Sequence, residues 1–279
     1  MTRTADEFDG ASHLADAIAR VLEEGAVAVL ATLVEVSAPP HRAGAKVLID
    51  SAGNRVAGGT GDAALDESIA QRAVAFLNSR AEAQTFKVEE FAPELAGLRG
   101  ARVLFERVEG EPHIVVCGAG HVGASLARLA EGIGYRVTLI DDRADFVAGA
   151  RFAGTGIELV AAEEGWVRAV QTSVGRGRGV YVAVVTRGHN EDEECMRAVV
   201  AAKPDYVGMI GSRRRTNIVL ERLRETGIEE EILREVRAPI GLDIGATSPE
   251  EVALAVLAEM VAARRGGSGR PLSEWRRAS

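Results

Sequence analysis

The stretch Ile114-Val-Val-Cys-Gly-Ala-Gly-His-Val-Gly123 decides the fold, because it joins a short apolar run to a glycine-rich turn. A helical pattern follows from Ala124 to Gly132, and the apolar run Arg136-Val-Thr-Leu-Ile140 comes after it. This order predicts a β-α-β unit. A Gly-x-Gly-x-x-Gly turn in such a unit is typical of dinucleotide-binding folds, in which N–H groups at the start of the helix bind a pyrophosphate.

Each glycine of this turn has its own predicted role. Gly118 permits the tight turn, Gly120 lets the backbone approach a phosphate, and Gly123 lets the helix pack closely on the strand. His121 and Val122 lie inside the turn and are predicted to contact the ligand, although His121 can equally serve only as a helix cap. The alternative for the whole turn is a purely structural strand-to-helix junction that binds nothing.

An acidic residue ends the second strand of the unit. Asp141 lies where a carboxylate accepts hydrogen bonds from ribose hydroxyls, which favours an NAD-like ligand, since the carboxylate would repel the 2′-phosphate of NADP. Arg143 follows two residues later, and its charge would attract that phosphate. The sequence therefore predicts an NAD-like dinucleotide and does not decide whether this ligand carries a 2′-phosphate.

The rest of the C-terminal half continues the α/β alternation. Buried parallel strands are predicted at 157–161, 180–186 and 206–210, and helices at 163–171, 192–202, 212–225 and 249–264. The last helix begins with a capping box, because Ser248 precedes Pro249 and Glu251. With the two strands of the first unit, these elements predict a Rossmann-like, doubly wound parallel sheet of five strands.

The N-terminal half predicts a small mixed α/β domain. From the N-terminus we expect a helix at 14–23, a strand at 26–36, a loop at 37–44, a strand at 46–50, a hairpin turn at 51–54, a glycine-rich stretch at 56–62, a helix at 63–78 and strands at 83–88 and 102–108. The polar Glu109-Gly-Glu-Pro112 marks a boundary. We therefore divide the chain into an N-terminal domain at 1–110, a nucleotide-binding domain at 111–265 and a flexible tail at 266–279.

The composition excludes several classes of function. The 279 residues include 33 Lys and Arg against 41 Asp and Glu, a net charge of −8, which argues against a broad basic surface for nucleic acid or an anionic membrane. The two cysteines, Cys117 and Cys195, cannot form a disulfide framework, and no Cys/His spacing fits a structural zinc site. No signal-peptide core and no run of 18 apolar residues occurs. We therefore expect a cytoplasmic protein without a metal site, which binds neither nucleic acid nor membrane.

Polar residues follow two later strands, where open α/β sheets bind their ligands. In Gly211-Ser-Arg-Arg-Arg215 we predict that Ser212, Arg213 and Arg214 bind an anion, because arginines at a helix start oppose the helix dipole and need compensation. The alternative is a solvated basic turn. Asp243, in a loop framed by glycines, is either a ligand contact or part of a structural turn.

The loop at 186–192 supplies the catalytic candidates. His189 and Asp192 are candidates for acid–base chemistry or metal binding, and His189 is also predicted to contact the cofactor. The alternative is a loop in which Asn190 or Asp192 only caps the next helix. No Ser-His-Asp order, HExxH motif or Walker sequence occurs, so hydrolase and ATPase functions have no candidate residues.

Together these motifs resemble the xanthine dehydrogenase accessory proteins of the XdhC/CoxI family. The resemblance rests on the glycine-rich turn at 117–123, Asp-Asp-Arg at 141–143, Thr-Arg-Gly-His at 186–189, Tyr-Val-Gly-Met-Ile-Gly-Ser-Arg-Arg-Arg at 206–215, Ala-Pro-Ile-Gly-Leu-Asp-Ile-Gly-Ala at 238–246 with the capping box after it, and Ser-Ala-Pro-Pro-His-Arg-Ala-Gly-Ala-Lys at 37–46.

The resemblance implies a function as well as a fold. It implies a cytoplasmic, homodimeric accessory protein, not an enzyme, that binds the molybdenum cofactor and assists its sulfuration together with a cysteine desulfurase. It also implies delivery of the cofactor to a molybdenum hydroxylase of the xanthine dehydrogenase or CO dehydrogenase type. Two alternatives remain open: an NAD-linked oxidoreductase with His189 in proton transfer, and a nucleotide-sensing module without catalysis.

One departure from the family pattern lies in the N-terminal domain. Family members commonly carry a Ser-Gly-Gly-Cys-Val-Glu motif, and this chain has Ala57-Gly-Gly-Thr-Gly-Asp62, with Thr60 and Gly61 at its centre. A thiolate is a soft ligand suited to molybdenum or sulfur. This domain therefore lacks the thiolate that the family motif offers to the cofactor.

Overall fold

The chain forms two compact units, and the boundary between them falls between Gly110 and Glu111. The computed structural model describes residues 5–36, 42–79, 81–175 and 177–273, with the backbone alone for 5–11, 189 and 190. The predicted loop at 37–44 and the predicted tail at 266–279 thus lie partly outside the described residues. No helix in the described ranges has the length and apolar character needed to cross a bilayer.

The N-terminal unit is an antiparallel sheet with a helix on each face. Its elements are α1 (Ala5–Glu23), β1 (Val27–Glu35), β2 (Lys46–Asp50), β3 (Arg55–Gly58), α2 (Ala63–Leu77), β4 (Ala83–Lys87) and β5 (Arg102–Glu109). The strand order is β3-β2-β1-β5-β4. Alternate residues of β1 point to opposite faces, so that Ala28 packs with α1 while Val29, Ala31 and Leu33 pack with α2.

The C-terminal unit is a doubly wound α/β domain, as predicted, but its edge strand at 158–161 is not buried as expected, because two of its four residues are exposed. Its strands are β6 (His113–Cys117), β7 (Arg136–Asp141), β8 (Glu158–Ala161), β9 (Val180–Val184) and β10 (Tyr206–Met209). Its helices are α3 (His121–Gly132), α4 (Trp166–Val174), α5 (His189–Ala202), α6 (Arg213–Glu225), α7 (Glu230–Glu235) and α8 (Pro249–Arg265). All strand pairs are parallel, in the order β10-β9-β6-β7-β8. The strands β7 and β8 are added on one side of β6, and β9 and β10 are added on the other side, so the strand order reverses between β6 and β9. This is the Rossmann order, whose ligand crevice lies at that reversal.

Two apolar layers hold the helices on the parallel sheet. In β6, Ile114 and Val116 face a layer formed with α3 and α8, whereas Val115 and Cys117 face a layer formed with α4, α5 and α6. Because both faces are covered, every residue of β6 is buried. This explains why residues 114–117 of the strand are an uninterrupted apolar run with no alternation in the sequence.

The structure adds elements that the sequence patterns did not predict. The glycine-rich stretch at 56–62 includes the end of β3, a strand held by its pairing with β2. The short helix α7 was not predicted. Residues 237–240 were not predicted to pair either, yet they run parallel to the outer edge of β10, where the Arg237 carbonyl accepts a hydrogen bond from the Met209 N–H and the Ile240 N–H donates to the Met209 carbonyl.

A polar chain with two buried central residues, His113 and Thr138, crosses the amino-terminal ends of three strands. Arg136 donates to Nδ1 of His113, the His113 Nε2 lies 2.8 Å from Thr138 Oγ1, and the Thr138 hydroxyl donates to Glu158. Because Nδ1 is occupied as an acceptor, the imidazole is neutral, with its proton on Nε2. Burial, and next the nearby Arg136 charge, lower the pKa of His113 to about 4.

The low pKa of His113 predicts that the C-terminal unit loses folding stability in acid. The unfolded chain binds a proton near pH 6.5, but the folded chain does so only near pH 4, so stability is complete above pH 6.5 and falls as the pH falls toward 4. Between pH 7 and pH 5 the wild type should lose about 2 kcal/mol more than His113→Gln. Urea unfolding followed by tryptophan fluorescence measures this, because both tryptophans lie beyond residue 111. Equal losses in the two proteins would contradict the assignment.

Candidate functional site

The loops that carry the predicted site residues meet at one edge of the parallel sheet. They follow β6, β7, β9 and β10, and since all these strands are parallel, their carboxyl ends lie together. The loop at 241–246 joins them, because residues 237–240 run parallel to β10 and end at the same edge. We call this edge the carboxyl rim.

The glycine-rich turn has the geometry that its sequence predicts. Gly118 has φ +112°, and a Cβ there would lie 2.6 Å from the carbonyl oxygen of Val185. A Cβ on Gly123 would lie 1.8 Å from the carbonyl oxygen of Gly118, whereas a Cβ on Gly120 would meet no atom within 4 Å. Gly118 and Gly123 are therefore required by close packing, and Gly120 borders open space on the carboxyl rim.

The helix that follows this turn has no side-chain cap. Gly120 is the N-cap of α3 and has no side chain that could accept from the first N–H groups, and the first turn contains no acidic residue. By contrast, Asp62, Ser212 and Ser248 cap α2, α6 and α8 with their side chains. The exposed His121 and the half-buried Val122 begin α3. Their N–H groups carry the positive end of the helix dipole, which suits a phosphate.

Asp141 is buried and fully hydrogen-bonded. Its Oδ1 accepts from the backbone N–H and Nε of Arg143, at 2.9 and 2.8 Å, and its Oδ2 accepts from the N–H of Ala119 at 2.7 Å and from Arg143 Nη2 at 3.0 Å. Burial acts to raise the pKa of this carboxyl, but the hydrogen bonds from Arg143 and Ala119 outweigh it and lower the pKa below its usual value. The predicted ribose contact through Asp141 remains a prediction, and it requires Arg143 to move.

Aromatic and cationic side chains pack beside the ion pair of Asp141 and Arg143. The Arg143 guanidinium carbon lies 3.4 Å from the centroid of the Phe146 ring, and that of Arg151 lies 5.0 Å from it. Arg151 also donates to the carbonyl of Phe146 at 2.7 Å and to that of Ala119 at 3.3 Å. Sequence reasoning missed Phe146 and Arg151, because the short turns that carry them have no apolar period to mark them.

A second ion pair, with a buried carboxylate, joins the first turns of α5 and α6, the helices that follow β9 and β10. Asp192 is fully buried, accepts from the Thr186 hydroxyl and accepts from Nε of Arg215 at 2.7 Å. Arg215 also donates to the carbonyl of Thr186 at 3.4 Å. The third arginine of the predicted anion cluster is thus neutralised inside the protein.

Arg213 and Arg214 differ from Arg215 in their surroundings. Both are exposed in the first turn of α6, next to the N-cap Ser212, and neither forms an ion pair with another described residue. Two unneutralised guanidinium groups therefore lie on the carboxyl rim. They leave an excess of positive charge at that point of an acidic protein.

The loop that contains Asp243 is exposed but anchored. Glu259 of α8 accepts from the N–H of Gly241 at 2.6 Å and from the Tyr206 hydroxyl at 2.8 Å. Burial, and then the charge of Glu259, raise the pKa of Tyr206, so this hydroxyl stays protonated. Glu259 thus holds the loop at the rim, and it was missed because it lies within an ordinary helical pattern.

The catalytic candidate has only a backbone position in the structure. His189 is the first residue of α5, and its side chain lies outside the described residues. Among the side chains that are described, no group of three or more His, Cys, Asp or Glu converges as a metal site would require.

The N-terminal motif is a closed loop. Asp66 is almost fully buried and accepts from the N–H and the hydroxyl of Thr60, at 2.8 and 2.7 Å, and from Arg55 at 3.2 Å. A Cβ on Gly58 would lie 2.2 Å from the carbonyl oxygen of Lys46, whereas one on Gly61 would meet nothing within 4 Å. Thr60 thus serves as an internal hydrogen-bonding residue where the family pattern has cysteine.

Comparison with family models matches most of the chain. The model of the XdhC Rossmann domain matches residues 114–260, and the model of the XdhC and CoxI family matches residues 21–89. The first model alone covers more than half of the chain, and the two together span both units.

Curated proteins give partial matches. Escherichia coli YqeB, named as uncharacterized, is 31% identical over 61% of this chain and 31% of its own length. A protein of Bacillus subtilis, named as a probable subunit of xanthine dehydrogenase, is 26% identical over 58% of this chain and 46% of its own length. The molybdenum cofactor insertion chaperone PaoD of Escherichia coli is 36% identical over 29% of this chain and 26% of its own length. The chain thus spans less than half the length of each of these relatives.

The glycine-rich turn, the Rossmann strand order and the match of both units to family models agree with the resemblance read from the motifs. The chain therefore belongs to the XdhC and CoxI family, and its C-terminal unit is the Rossmann domain of that family.

Proposed function

We propose that this chain is a maturation factor that binds the molybdenum cofactor as cargo, assists its sulfuration and helps to insert it into a molybdenum hydroxylase. The observation that supports the proposal is the set of groups on the carboxyl rim that are suited to an anion. There, the uncapped start of α3 borders free space at Gly120, while Arg213 and Arg214 add positive charge on the same edge. The molybdenum cofactor is itself a phosphorylated molecule, so its phosphate matches this chemistry.

The names of two relatives support this choice of cargo and client. One relative is named as a molybdenum cofactor insertion chaperone, and another as part of a probable xanthine dehydrogenase. Since each match covers under half of the relative, the client enzyme of this chain is proposed only by class, as a molybdenum hydroxylase of the xanthine dehydrogenase or CO dehydrogenase type.

The residues of the chain act here by binding and orienting. N–H groups at the start of α3 hold the phosphate, and Arg213 and Arg214 neutralise further negative charge of the cargo. Asp141 and Arg151 hold Ala119, and with it the turn, in position. The cargo, once inserted, supplies the molybdenum centre of the client.

The sulfur is proposed to come from a separate cysteine desulfurase. The only two cysteines of the chain are fully buried, Cys117 in β6 and Cys195 in α5. Burial, and then Cys117 as a neighbour, raise the pKa of the Cys195 thiol. A buried, protonated thiol is a poor sulfur carrier. This chain therefore presents the cargo, and the desulfurase brings the sulfur.

The homodimer and the cytoplasmic location belong to the same proposal. Both come from the family resemblance. Light scattering on the purified protein measures its oligomeric state. A dimer would place two carboxyl rims in one particle, and with them two cargo sites.

Client maturation tests the proposal. A molybdenum hydroxylase is expressed with the wild-type chain, without it, or with Arg213→Gln/Arg214→Gln, and client activity, client cofactor sulfur and molybdenum bound to the chain are measured. Loss of two charge-assisted hydrogen bonds should lower bound molybdenum at least about tenfold, with a matching fall in client activity. The matched control is Arg222→Gln/Arg224→Gln, which removes the same charge from the last turn of α6 and should behave as the wild type. Client activity that does not change when the chain is omitted would refute the proposal.

A further inference from the structure

The side of the glycine-rich turn that faces β7 is closed by the protein's own side chains. In dinucleotide-binding Rossmann domains, the acid at the end of this strand binds the adenosine ribose. Here that acid is Asp141, and Arg143 covers it from the solvent side, leaving the carboxylate only 2% exposed.

The carboxylate of Asp141 has no acceptor position left. An ionised carboxylate offers about four lone-pair sites. Asp141 already accepts four hydrogen bonds, three from Arg143 and one from the N–H of Ala119. Two ribose hydroxyls can bind Asp141 only if they displace the Arg143 side chain.

Arg143 is itself held in place on a second side. Its guanidinium stacks on Phe146, and Arg151 links Phe146 to the carbonyl of Ala119. Both polar backbone atoms of Ala119 are thus bonded to side chains on this side of the turn. An adenine ring would have to take the volume that these side chains fill.

The charge of Arg143 does not suit a 2′-phosphate either. Its Nε lies 2.8 Å from Asp141 Oδ1 and 3.7 Å from Asp142 Oδ1, so two carboxylates share its charge. Asp142 also pairs with Arg187 at 3.1 Å. A doubly charged phosphate placed here would meet both carboxylates.

The other side of the turn carries the unpaired positive charge of the rim. The loop after β9 carries Arg187, whose charge is shared with Asp142 and Glu191. Arg213 and Arg214, after β10, are exposed and form no ion pair among the described residues, and Gly120 borders free space. The positive charge that remains available to a ligand therefore lies on the β10 side of the rim and not beside Asp141.

We propose that Arg143, held by Asp141 and stacked on Phe146, closes the β7 side of the turn to adenosine, so that the site takes a phosphate ester without an adenosine half. Arg143 is then the residue that discriminates against NAD and NADP. This inference rests on the proposed function for the location of the ligand phosphate and adds the class of ligand that the site admits.

Binding of adenine nucleotides tests the inference directly. Titration calorimetry compares NAD⁺, NADP⁺ and ADP-ribose on the wild type, on Arg143→Ser and on the control Arg187→Ser, which removes the same charge from the same rim without freeing Asp141. We expect Arg143→Ser to bind NAD⁺ and ADP-ribose at least tenfold more tightly than the other two proteins. Adding Asp141→Asn to Arg143→Ser should abolish the gain. Arg143→Lys, which keeps the charge but not the two-point contact, serves if the serine variant unfolds, and it should show a smaller gain in the same direction.

Tight NAD⁺ binding by the wild type, or no gain in either Arg143 variant, would overturn the inference. The client assay is independent of this result. A wild type that matures its client and yet binds NAD⁺ as tightly as Arg143→Ser refutes the exclusion and leaves the function standing. A gain in Arg143→Ser together with a failed client assay supports the exclusion and refutes the function.

Discussion

Gly123→Ala should prevent stable folding of the C-terminal unit, whereas Gly120→Ala should leave the fold intact and weaken ligand binding. The new Cβ at position 123 would lie 1.8 Å from the Gly118 carbonyl oxygen and 3.1 Å from the Val185 side chain. The clash cannot be relieved by a small shift, because α3 packs on the sheet and β6 is its central strand, with both faces covered. We expect a loss of at least about 3 kcal/mol.

Gly120→Ala is the matched control, since its Cβ meets no protein atom within 4 Å and its φ of −64° suits alanine. Its stability should stay within about 1 kcal/mol of the wild type. The methyl group occupies the space through which a phosphate approaches, so bound molybdenum should fall. Urea unfolding followed by tryptophan fluorescence measures the first effect, and the molybdenum content of the purified protein measures the second. Equal stability of the two variants would contradict the packing argument, and unchanged molybdenum in Gly120→Ala would contradict the phosphate site.

Arg215→Met should be the most destabilising substitution in the arginine cluster. It removes the guanidinium that donates to the fully buried Asp192. Removing one partner of a buried pair typically costs about 3–5 kcal/mol. Arg214→Met, one residue away and exposed, should change stability by less than about 0.5 kcal/mol.

A double variant separates the buried charge from the loss of packing. Asp192→Asn/Arg215→Met removes both charges and should be more stable than Arg215→Met alone, because the side chain buried at position 192 is then neutral. The free energies of unfolding of all four proteins, measured in urea, give the coupling. A loss of less than about 1 kcal/mol in the unfolding free energy of Arg215→Met would show that this pair does not hold the starts of α5 and α6 together. A double variant no more stable than Arg215→Met would show the same.

The neighbouring arginines at 213–215 show where sequence reasoning stops. The sequence predicts one basic cluster at a helix start, with nothing to tell its members apart. The tertiary structure brings Asp192 from the preceding α/β unit to Arg215 and leaves Arg213 and Arg214 in solvent. A contact between residues 23 positions apart follows from strand order and helix packing, not from any local pattern.

Asp141 shows the same limit in the nucleotide motif. Its position after β7 follows from the apolar pattern, and so does the expectation of a ribose contact. Arg143 occupies the solvent-side acceptor positions of Asp141, and its place there depends on the turn after β7, where Phe146 and Arg151 pack. The sequence of this turn has no regular apolar pattern from which the packing could be predicted.

The sequence by itself determined the family, the Rossmann sheet and the loops that reach the carboxyl rim. These depend on local features: short apolar runs, a glycine-rich turn, helix caps and the alternation of strand and helix. Only the tertiary structure decided which charges on that rim are buried in pairs and which face solvent, because burial and pairing depend on side chains brought together from distant parts of the chain. It also decided that Gly120 borders open space while Gly118 and Gly123 do not, since that distinction depends on Val185, just after β9, and on the Gly118 carbonyl, which lie against the turn.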